Sequence, residues 1–376
     1  VKSIYLSIKN ARRIFKMYPL HCKISYFADS IHLEQLFTGF EGLRKQKLLT
    51  LEYHRHQHEQ YSKGNGLAVM QVQVNDKFNI IYDTQDSQQI STDTVLTGSV
   101  DFYFKRSLPP NTVSNCTPPF KLYPLGFNYP VFSNKAFSLQ RMWYAGSAEK
   151  RAAFWLKNSK ILSNFFSINN SAFNAQQQKL EEIPRWYEQA NILLMTRAWP
   201  EQRARTEEKK EQRFEMNQMR AACIRMLKKE FGNNFYGGFS TDEYSQTHFP
   251  DCVLPDNRIT RKKNYLQLVK TFPICVATTG LENSTGWRMG EYIALSKAIL
   301  SEKLHNEVPG DFAAGKNYLE FYTADHCVEQ AHRLFQDAPL RYEMMHQNFR
   351  YYHAYLRPDM LVWNALRTVL LDSGKL

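Results

Sequence analysis

Thr279-Gly280-Leu281-Glu282-Asn283-Ser284-Thr285-Gly286-Trp287-Arg288-Met289-Gly290-Glu291-Tyr292-Ile293-Ala294-Leu295-Ser296-Lys297-Ala298-Ile299 decides how the chain reads. A loop of small residues runs into an amphipathic helix with a carboxylate, Glu291, in its first turns. A helix N-terminus offers unpaired N–H groups and a partial positive charge, which suit a phosphate or diphosphate. A carboxylate one or two turns on can accept hydrogen bonds from sugar hydroxyls. Together the two parts fit a ligand with both features, a nucleotide-sugar.

Upstream, Phe272 to Ala277 reads as the strand that feeds this loop, and Asn264 to Val269 as a short helix before it. Ala190 to Thr196 is an apolar strand ending in Arg197. Residues 201–231 form a long charged helix with an apolar stripe at Met219, Cys223, Met226 and Leu227. Its charged face from Arg203 to Arg213 reads as solvated surface. Phe235 to Phe239 is a further strand, and Asp325 to Phe335 a further helix.

The first half shows the same alternation. Cys22 to Phe27 is a short apolar run, Ser30 is a fair N-cap, and Leu33, Leu36, Phe37, Phe40 and Leu43 recur at helical spacing. Leu48 to Tyr53 reads as a second strand, and a strand–helix–strand unit argues a parallel sheet. Phe78 to Tyr82 and Val100 to Phe104 are further strands, ending in Asp83-Thr84-Gln85-Asp86 and Lys105-Arg106. Short strands with polar ends mark the carboxyl edge of an open α/β sheet, where ligands sit. Residues 107–135 are loop-rich, and a connector runs on to about Pro184. The chain thus divides into domains at 1–150 and 185–345, each Rossmann-like, with 346–376 closing it.

The totals bound the partners. Lys plus Arg is 48 against 36 Asp plus Glu, a balance of +12 that favours anionic ligands. The basic residues are dispersed, without a tail or a nucleic-acid signature, so no nucleic-acid partner is expected. Residues 3–18 carry Lys2, Lys9, Arg12, Arg13 and Lys16 in and around an apolar pattern that suits an acidic membrane face or, more simply, an ordinary packed segment. No apolar run reaches the ~18 residues of a membrane span. The first twenty residues lack the long apolar centre of a signal peptide, and the six cysteines form no CxxC pair, so the reading is cytoplasmic. The chain opens on Val1, not Met, which leaves room for residues before it.

The order of these segments resembles the GT-B glycosyltransferases. Gly286-Trp287-Arg288-Met289-Gly290-Glu291-Tyr292-Ile293-Ala294 is similar to the donor-binding segment of their C-terminal domain. Gly315-Lys316-Asn317-Tyr318-Leu319, Tyr351-Tyr352, Pro358-Asp359 and Trp363-Asn364 follow in the order seen in bacterial family-one-type transferases, especially those grouped with spore-maturation glycosyltransferases. Asp101-Phe102-Tyr103-Phe104-Lys105-Arg106 and Tyr123-Pro124-Leu125-Gly126 look like that group's first domain. The resemblance implies two Rossmann-like domains facing across a cleft and a C-terminal helix crossing back to the first. It implies a metal-independent transferase without cofactor, moving sugar from a nucleotide-sugar to a glycan or lipid-linked acceptor in surface polysaccharide or lipopolysaccharide synthesis.

The resemblance also assigns residues. Glu291 matches the glutamate that binds the nucleotide ribose, and Glu282 the one near the donor sugar, although the family's pair stands one residue closer together. Arg197 matches the basic residue that meets the diphosphate. The lysine that accompanies it has no match, and Arg203 is the nearest candidate. Without a metal, the charge growing on the leaving diphosphate needs cations and amide groups. Arg197, Arg288, Lys262 and Lys263 are candidates, with Thr279, Gly280, Ser284, Thr285, Gly286 and Trp287 lining the donor. An inverting enzyme needs a base for the acceptor hydroxyl. Asp86, Asp83 and Asp29 follow strands of the first domain, and each reads equally as a cap or turn residue. His54-Arg55-His56-Gln57-His58 puts three histidines on one strand face, but lacks an obvious further ligand and reads as a polar strand end rather than a metal site. The alternative function is a catalytically silent GT-B fold that binds glycan or supports assembly.

Overall fold

The computed structural model describes residues 19–27, 30–55, 68–90, 99–110, 112, 119–133 and 176–374. They fall into two α/β units. The first takes residues 1–177, 306–309 and 353–376, and the second takes 178–305 and 310–352.

In the first unit, β1 (Leu20–Tyr26) leads through Ser30 into α1 (Glu34–Lys45) and out to β2 (Leu49–Arg55), which lies parallel to β1. The Ser30 hydroxyl accepts from His32 N at 3.3 Å, so the expected cap is in place. Leu33, Leu36, Phe37, Phe40 and Leu43 are all buried, the apolar stripe that docks α1 on the sheet. β3 (Val69–Val74) and β4 (Phe78–Asp83) then form an antiparallel hairpin, followed by β5 (Phe102–Lys105) and β6 (Lys121–Pro124). The strand order is β2-β1-β3-β4-β5-β6.

The sheet is therefore mixed, not parallel throughout as the strand–helix–strand reading implied. One strand, β3, runs against its neighbours. The reason is local. Asn75 and Asp76 both take left-handed backbone, φ 53 and 54, and Lys77 N closes the turn on Val74 O at 3.0 Å. Two left-handed central residues make a primed turn, which matches the twist of a hairpin. Across β4, β5 and β6, Tyr82, Phe104 and Tyr123 are register partners, with ring centroids 5.5 Å apart at each step. This ladder uses aromatic area for both core burial and strand registry.

A short helix, α2 (Gln177–Leu180), opens the second unit. There the chain runs β7 (Ile192–Thr196), α3 (Glu207–Phe231), β8 (Phe235–Phe239), α4 (Glu243–His248), α5 (Lys262–Thr271), β9 (Ile274–Ala277), α6 (Trp287–Ala294), β10 (Ala298–Glu302), β11 (Leu319–Phe321), α7 (Ala324–Gln336) and α8 (Ala338–Tyr351). The five strands are parallel in the order β11-β10-β9-β7-β8. Read from β8, this is the doubly wound order 2-1-3-4-5. Its direction reverses between β7 and β9, the place where such sheets bind ligands beyond their carboxyl ends. The long helix α3 is capped by Thr206, carries Glu207 and Glu208 in its first turn and Lys228 and Lys229 in its last, and stops at Gly232 with φ 50. Every one of those choices favours a helix with those bounds.

After α8 a π-helical turn at Tyr352–Leu356 redirects the chain, and Pro358 opens α9 (Pro358–Asp372). This last helix belongs to the first unit and lies on α1. The fit depends on Gly39, where a Cβ would stand 2.1 Å from Pro358 O and 2.6 Å from Val362 Cγ2. Gln35 Nε2 donates to Leu356 O at 3.0 Å and Gln46 Nε2 to Asp359 Oδ2 at 3.0 Å, tying the two ends of α1 to the start of α9. Two Rossmann-like sheets and a C-terminal helix returned to the first unit are thus present as the sequence reading expects. Among the described residues no helix is long and apolar enough to cross a membrane.

Gly39→Ala is expected to force α9 off α1 and destabilise the first unit by roughly 1–3 kcal/mol, the usual cost of overpacking. Thermal unfolding of the variant checks it, and an unchanged melting temperature would mean that α9 does not rest on Gly39.

Candidate functional site

The site is built on the carboxyl edge of the second sheet, around the reversal between β7 and β9. Arg197 follows β7 directly and is exposed, its guanidinium 5.3 Å from the Trp199 ring centroid. Arg220 comes from α3 and is only 4% exposed. It donates from Nη1 to Arg197 O and from Nη2 to Thr279 O, both at 2.7 Å. One buried guanidinium thus ties the ends of β7 and β9 together.

The loop after β9 is a tight hairpin. Gly280 N donates to Ser284 O at 2.7 Å, Thr279 bridges Thr285, and Ser284 N donates to Leu281 O at 3.1 Å. A Cβ at Gly280 would lie 2.6 Å from Ser284 Oγ and 3.0 Å from Ser284 O, so the turn leaves little room for a side chain there. Its tip, Glu282 and Asn283, is left-handed, φ 58 and 57. Thr279 N is held by Glu302 Oε2 at 2.7 Å, a carboxylate at the end of β10. Gln212 Oε1 of α3 accepts from Glu282 N at 3.2 Å, and Lys209 Nζ lies 2.6 Å from Glu282 Oε1.

Gly286 is the N-cap of α6, and no side chain caps that helix. Its first turn, where Met289 N donates to Gly286 O at 3.1 Å, carries the positive end of the helix dipole. Arg288 stands on this turn, 5.6 Å from the Tyr265 ring centroid, and has neither a hydrogen-bond acceptor nor a carboxylate partner among the described residues. Glu291 sits one turn further and is 3% exposed, ion-paired with Lys262 at the start of α5. Lys263 is exposed.

The electrostatics are one-sided. Burial lowers the Arg220 guanidinium to about 10; Glu302 opposes the shift, while the charges of Arg288 and Arg197 add to it. Lys262 is balanced by Glu291, but three arginines share one carboxylate. The place is short of negative charge and has donors with no acceptor, the chemistry of an anion site.

The carboxyl edge of the first sheet differs. Asp83 is wholly buried and accepts from Tyr103 OH at 2.6 Å, Lys105 Nζ at 2.8 Å and Gln85 N at 2.9 Å. Asp86 is half-exposed, with Oδ1 2.5 Å from Arg106 Nη1. Burial lowers the Arg106 guanidinium, and Asp86 and Asp83 hold it up. Close to this pair is His32. Burial and then Arg106 lower its imidazole below the ordinary 6.5, against an opposing pull from Asp86.

The candidates of the donor loop and Arg197 therefore meet at one sheet edge, and Asp83 and Asp86 lie at the other unit's edge. Asp29, His56 and His58 fall outside the described residues. Among those described, no group of three or more metal-type side chains is clustered. Arg220 and His32 escaped the sequence reading. Arg220 had a signal, an arginine three and seven residues before Cys223 and Leu227, on the buried stripe of α3.

No family model matches the chain, and no curated protein does. Solved structures are similar at low identity. The C-terminal domain of a group 1 family glycosyl transferase from Francisella tularensis is 14% identical, over 47% of this chain and 96% of that one, with a TM-score of 0.32. WaaG, a glycosyltransferase involved in lipopolysaccharide biosynthesis, is 12% identical over 72% of this chain and 92% of its own, with a TM-score of 0.32. HepE from Anabaena, solved with UDP, is 10% identical over 92% of this chain and 91% of its own, with a TM-score of 0.34. Likenesses this distant decide nothing about chemistry, which rests on the residues above.

The His32 ring is expected to titrate below 6.5, followed by its NMR proton shifts. The folded ring then holds its proton less tightly than the unfolded chain does. The first unit's stability contribution from His32 is complete above 6.5 and is lost as pH falls below it. A midpoint at or above 6.5 would place Asp86 ahead of burial and Arg106.

Proposed function

We propose that the chain is a GT-B glycosyltransferase whose second unit binds a nucleotide-sugar by its diphosphate. The observation that carries this is the convergence of Arg197, Arg220 and Arg288 with the uncapped first turn of α6 at the reversal of a doubly wound sheet. Arg288 and Arg197 meet the phosphate oxygens, at the positive end of the α6 dipole. As the bond to the sugar breaks, negative charge grows on the diphosphate, and these fixed donors stabilise it. Thr279 and Gly280 shape the loop, and Glu282 at its tip faces the sugar hydroxyls. Glu291 takes the ribose hydroxyls, with its ion pair to Lys262 holding it oriented.

In the first unit, Asp86 and His32 are the candidates for deprotonating the acceptor hydroxyl. A neutral imidazole beside a half-exposed carboxylate is suited to take a proton near neutral pH. Asp83, fully enclosed by Lys105 and Tyr103, is better suited to holding the sheet edge. The acceptor is a glycan or a lipid-linked sugar of the cell surface, reached from the cytoplasmic side, with the basic segment at residues 3–18 as a peripheral membrane contact.

A thermal-shift screen against UDP, GDP, ADP, CMP and TDP and their common sugars tests the donor. Selective stabilisation by one nucleotide is expected, since a ligand of the folded state raises the melting temperature. UDP is the first to try, being the nucleotide bound in HepE. No shift with any at millimolar concentration would move the reading to a silent glycan-binding fold.

The roles divide under mutation. Arg288→Ala is expected to weaken the nucleotide and inorganic pyrophosphate alike, by about 10- to 100-fold, the worth of a charge-assisted hydrogen bond. Glu291→Ala is expected to weaken the nucleotide and spare pyrophosphate. Equal loss of both ligands in Glu291→Ala would sink the ribose assignment. Calorimetric titration of each variant reads the difference.

A further inference from the structure

The amino edge of the second sheet, opposite the arginine cluster, holds a cavity of about 410 Å³. Trp186, Glu188 and Gln189, on the segment leading into β7, form part of its wall. Asn234, just before β8, and Phe335 and Arg341, from α7 and α8, complete the part that matters. The volume falls within the range of small-ligand sites.

Two of these residues are unusual. Trp186 is 63% exposed, although it is the largest apolar side chain on its segment. Its ring meets Tyr342 edge-on, centroids 5.9 Å apart at 64°, so the indole is steadied by a neighbour while much of it stays open. Arg341 is the reverse case, 6% exposed and lining the cavity. Its Nη1 donates to Leu334 O at 2.7 Å and Phe335 O at 3.2 Å, the last carbonyls of α7. Among the described residues it makes no ion pair. The nearby carboxylate, Asp337, serves instead as the cap of α8, accepting from Leu340 N at 2.8 Å. Burial lowers the Arg341 guanidinium, and the charge of Asp337 opposes this without forming an ion pair, so the cation stays only partly compensated, which is costly out of water. An anionic group in the cavity would offset that cost at the edge not used by α7.

An open indole suits the C–H face of a sugar ring, and Glu188, Gln189 and Asn234 supply the planar polar groups that meet ring hydroxyls. We propose that this cavity binds an acidic saccharide unit, its ring on Trp186 and its carboxylate on Arg341. The site would hold a glycan at the far edge of the sheet from the arginine cluster. It rests on its own residues and stands whether or not the second unit binds a nucleotide-sugar.

The test is calorimetric titration of the full chain with cellobiouronic acid, a disaccharide with one carboxylate, and with cellobiose, its neutral counterpart. Saturable binding of the acid at least tenfold tighter than of cellobiose is expected. Trp186→Ala, a change at an exposed position, should abolish it. Arg341→Gln should erase the preference for the acid, with Arg341→Lys restoring part of it if the loss of α7 capping is tolerated. The proposal is overturned by no binding, by equal binding of the two disaccharides, or by acid binding untouched in Trp186→Ala. Displacement by inorganic phosphate with no dependence on Trp186 would also overturn it, revealing a bare anion site. UDP stabilisation measured on Trp186→Ala keeps the two sites apart, because the variant should leave it unchanged.

Discussion

The second unit turns on one buried cation. Arg220 reaches from α3 to the carbonyls that end β7 and begin the loop after β9, and it is the only described side chain that bonds both. Parallel strands at a reversal of a doubly wound sheet diverge toward their carboxyl ends, since their connections leave on opposite sides. Something must fix the width of that opening. A planar group with several donors in fixed directions does so in two dimensions at once. Glu302 completes the arrangement from β10, holding Thr279 N and balancing part of the charge. The loop from Thr279 to Gly286 is therefore aimed by three elements of the sheet and its covering helix, and the arginines around it inherit a stable frame.

The cost of that frame is electrostatic. Arg220 spends its donors on carbonyls, so its charge is only partly met, and Arg197 and Arg288 stand close enough to press on it. Charges of one sign held together in a site of reduced dielectric are stable only if the scaffold supports them or a ligand relieves them. Here the scaffold contributes: Gly280 leaves room for the tight hairpin, and Glu291 is ion-paired with Lys262. The site is thus left cationic by construction. At the carboxyl edge of the first sheet each cation has a carboxylate, Lys105 with Asp83 and Arg106 with Asp86.

Much of this was legible in the chain. Segments with strong periodicity and good end signals, such as Leu33 to Leu43 after Ser30, or the strand before Thr279, fold as their patterns require, because local preference and burial agree. β3 was missed although Val69, Met70, Val72 and Val74 alternate well enough. The turn that reverses it depends on Asn75 and Asp76 entering left-handed backbone, a weaker signal than Asn-Gly. The return of the C-terminal helix to the first unit was expected, but its seat on α1 at Gly39 was not, because a close approach between residues far apart in sequence leaves no local mark. The same holds for the site. The loop and its glutamate announce themselves within a dozen residues, whereas Arg220 becomes meaningful only when α3 is laid against the sheet.

The two sheet edges also differ in what protonation can do at them. On the second sheet the working groups are guanidiniums and backbone amides, which keep their protons throughout the neutral range and can only attract, orient and stabilise charge. On the first, His32 is half-buried near Arg106 and Asp86, and its imidazole is the group whose protonation answers to its surroundings. Burial and the nearby cation discourage the imidazolium more than the half-exposed carboxylate favours it, so the ring leans to its neutral form. On the proposed function the two places would divide the work, one taking up charge without giving or taking protons and one taking a proton from an incoming hydroxyl. The carboxyl edges of separate sheets carry these different groups. That is why its arginines and its carboxylates, mixed together along the sequence, sort so differently once the strands are formed.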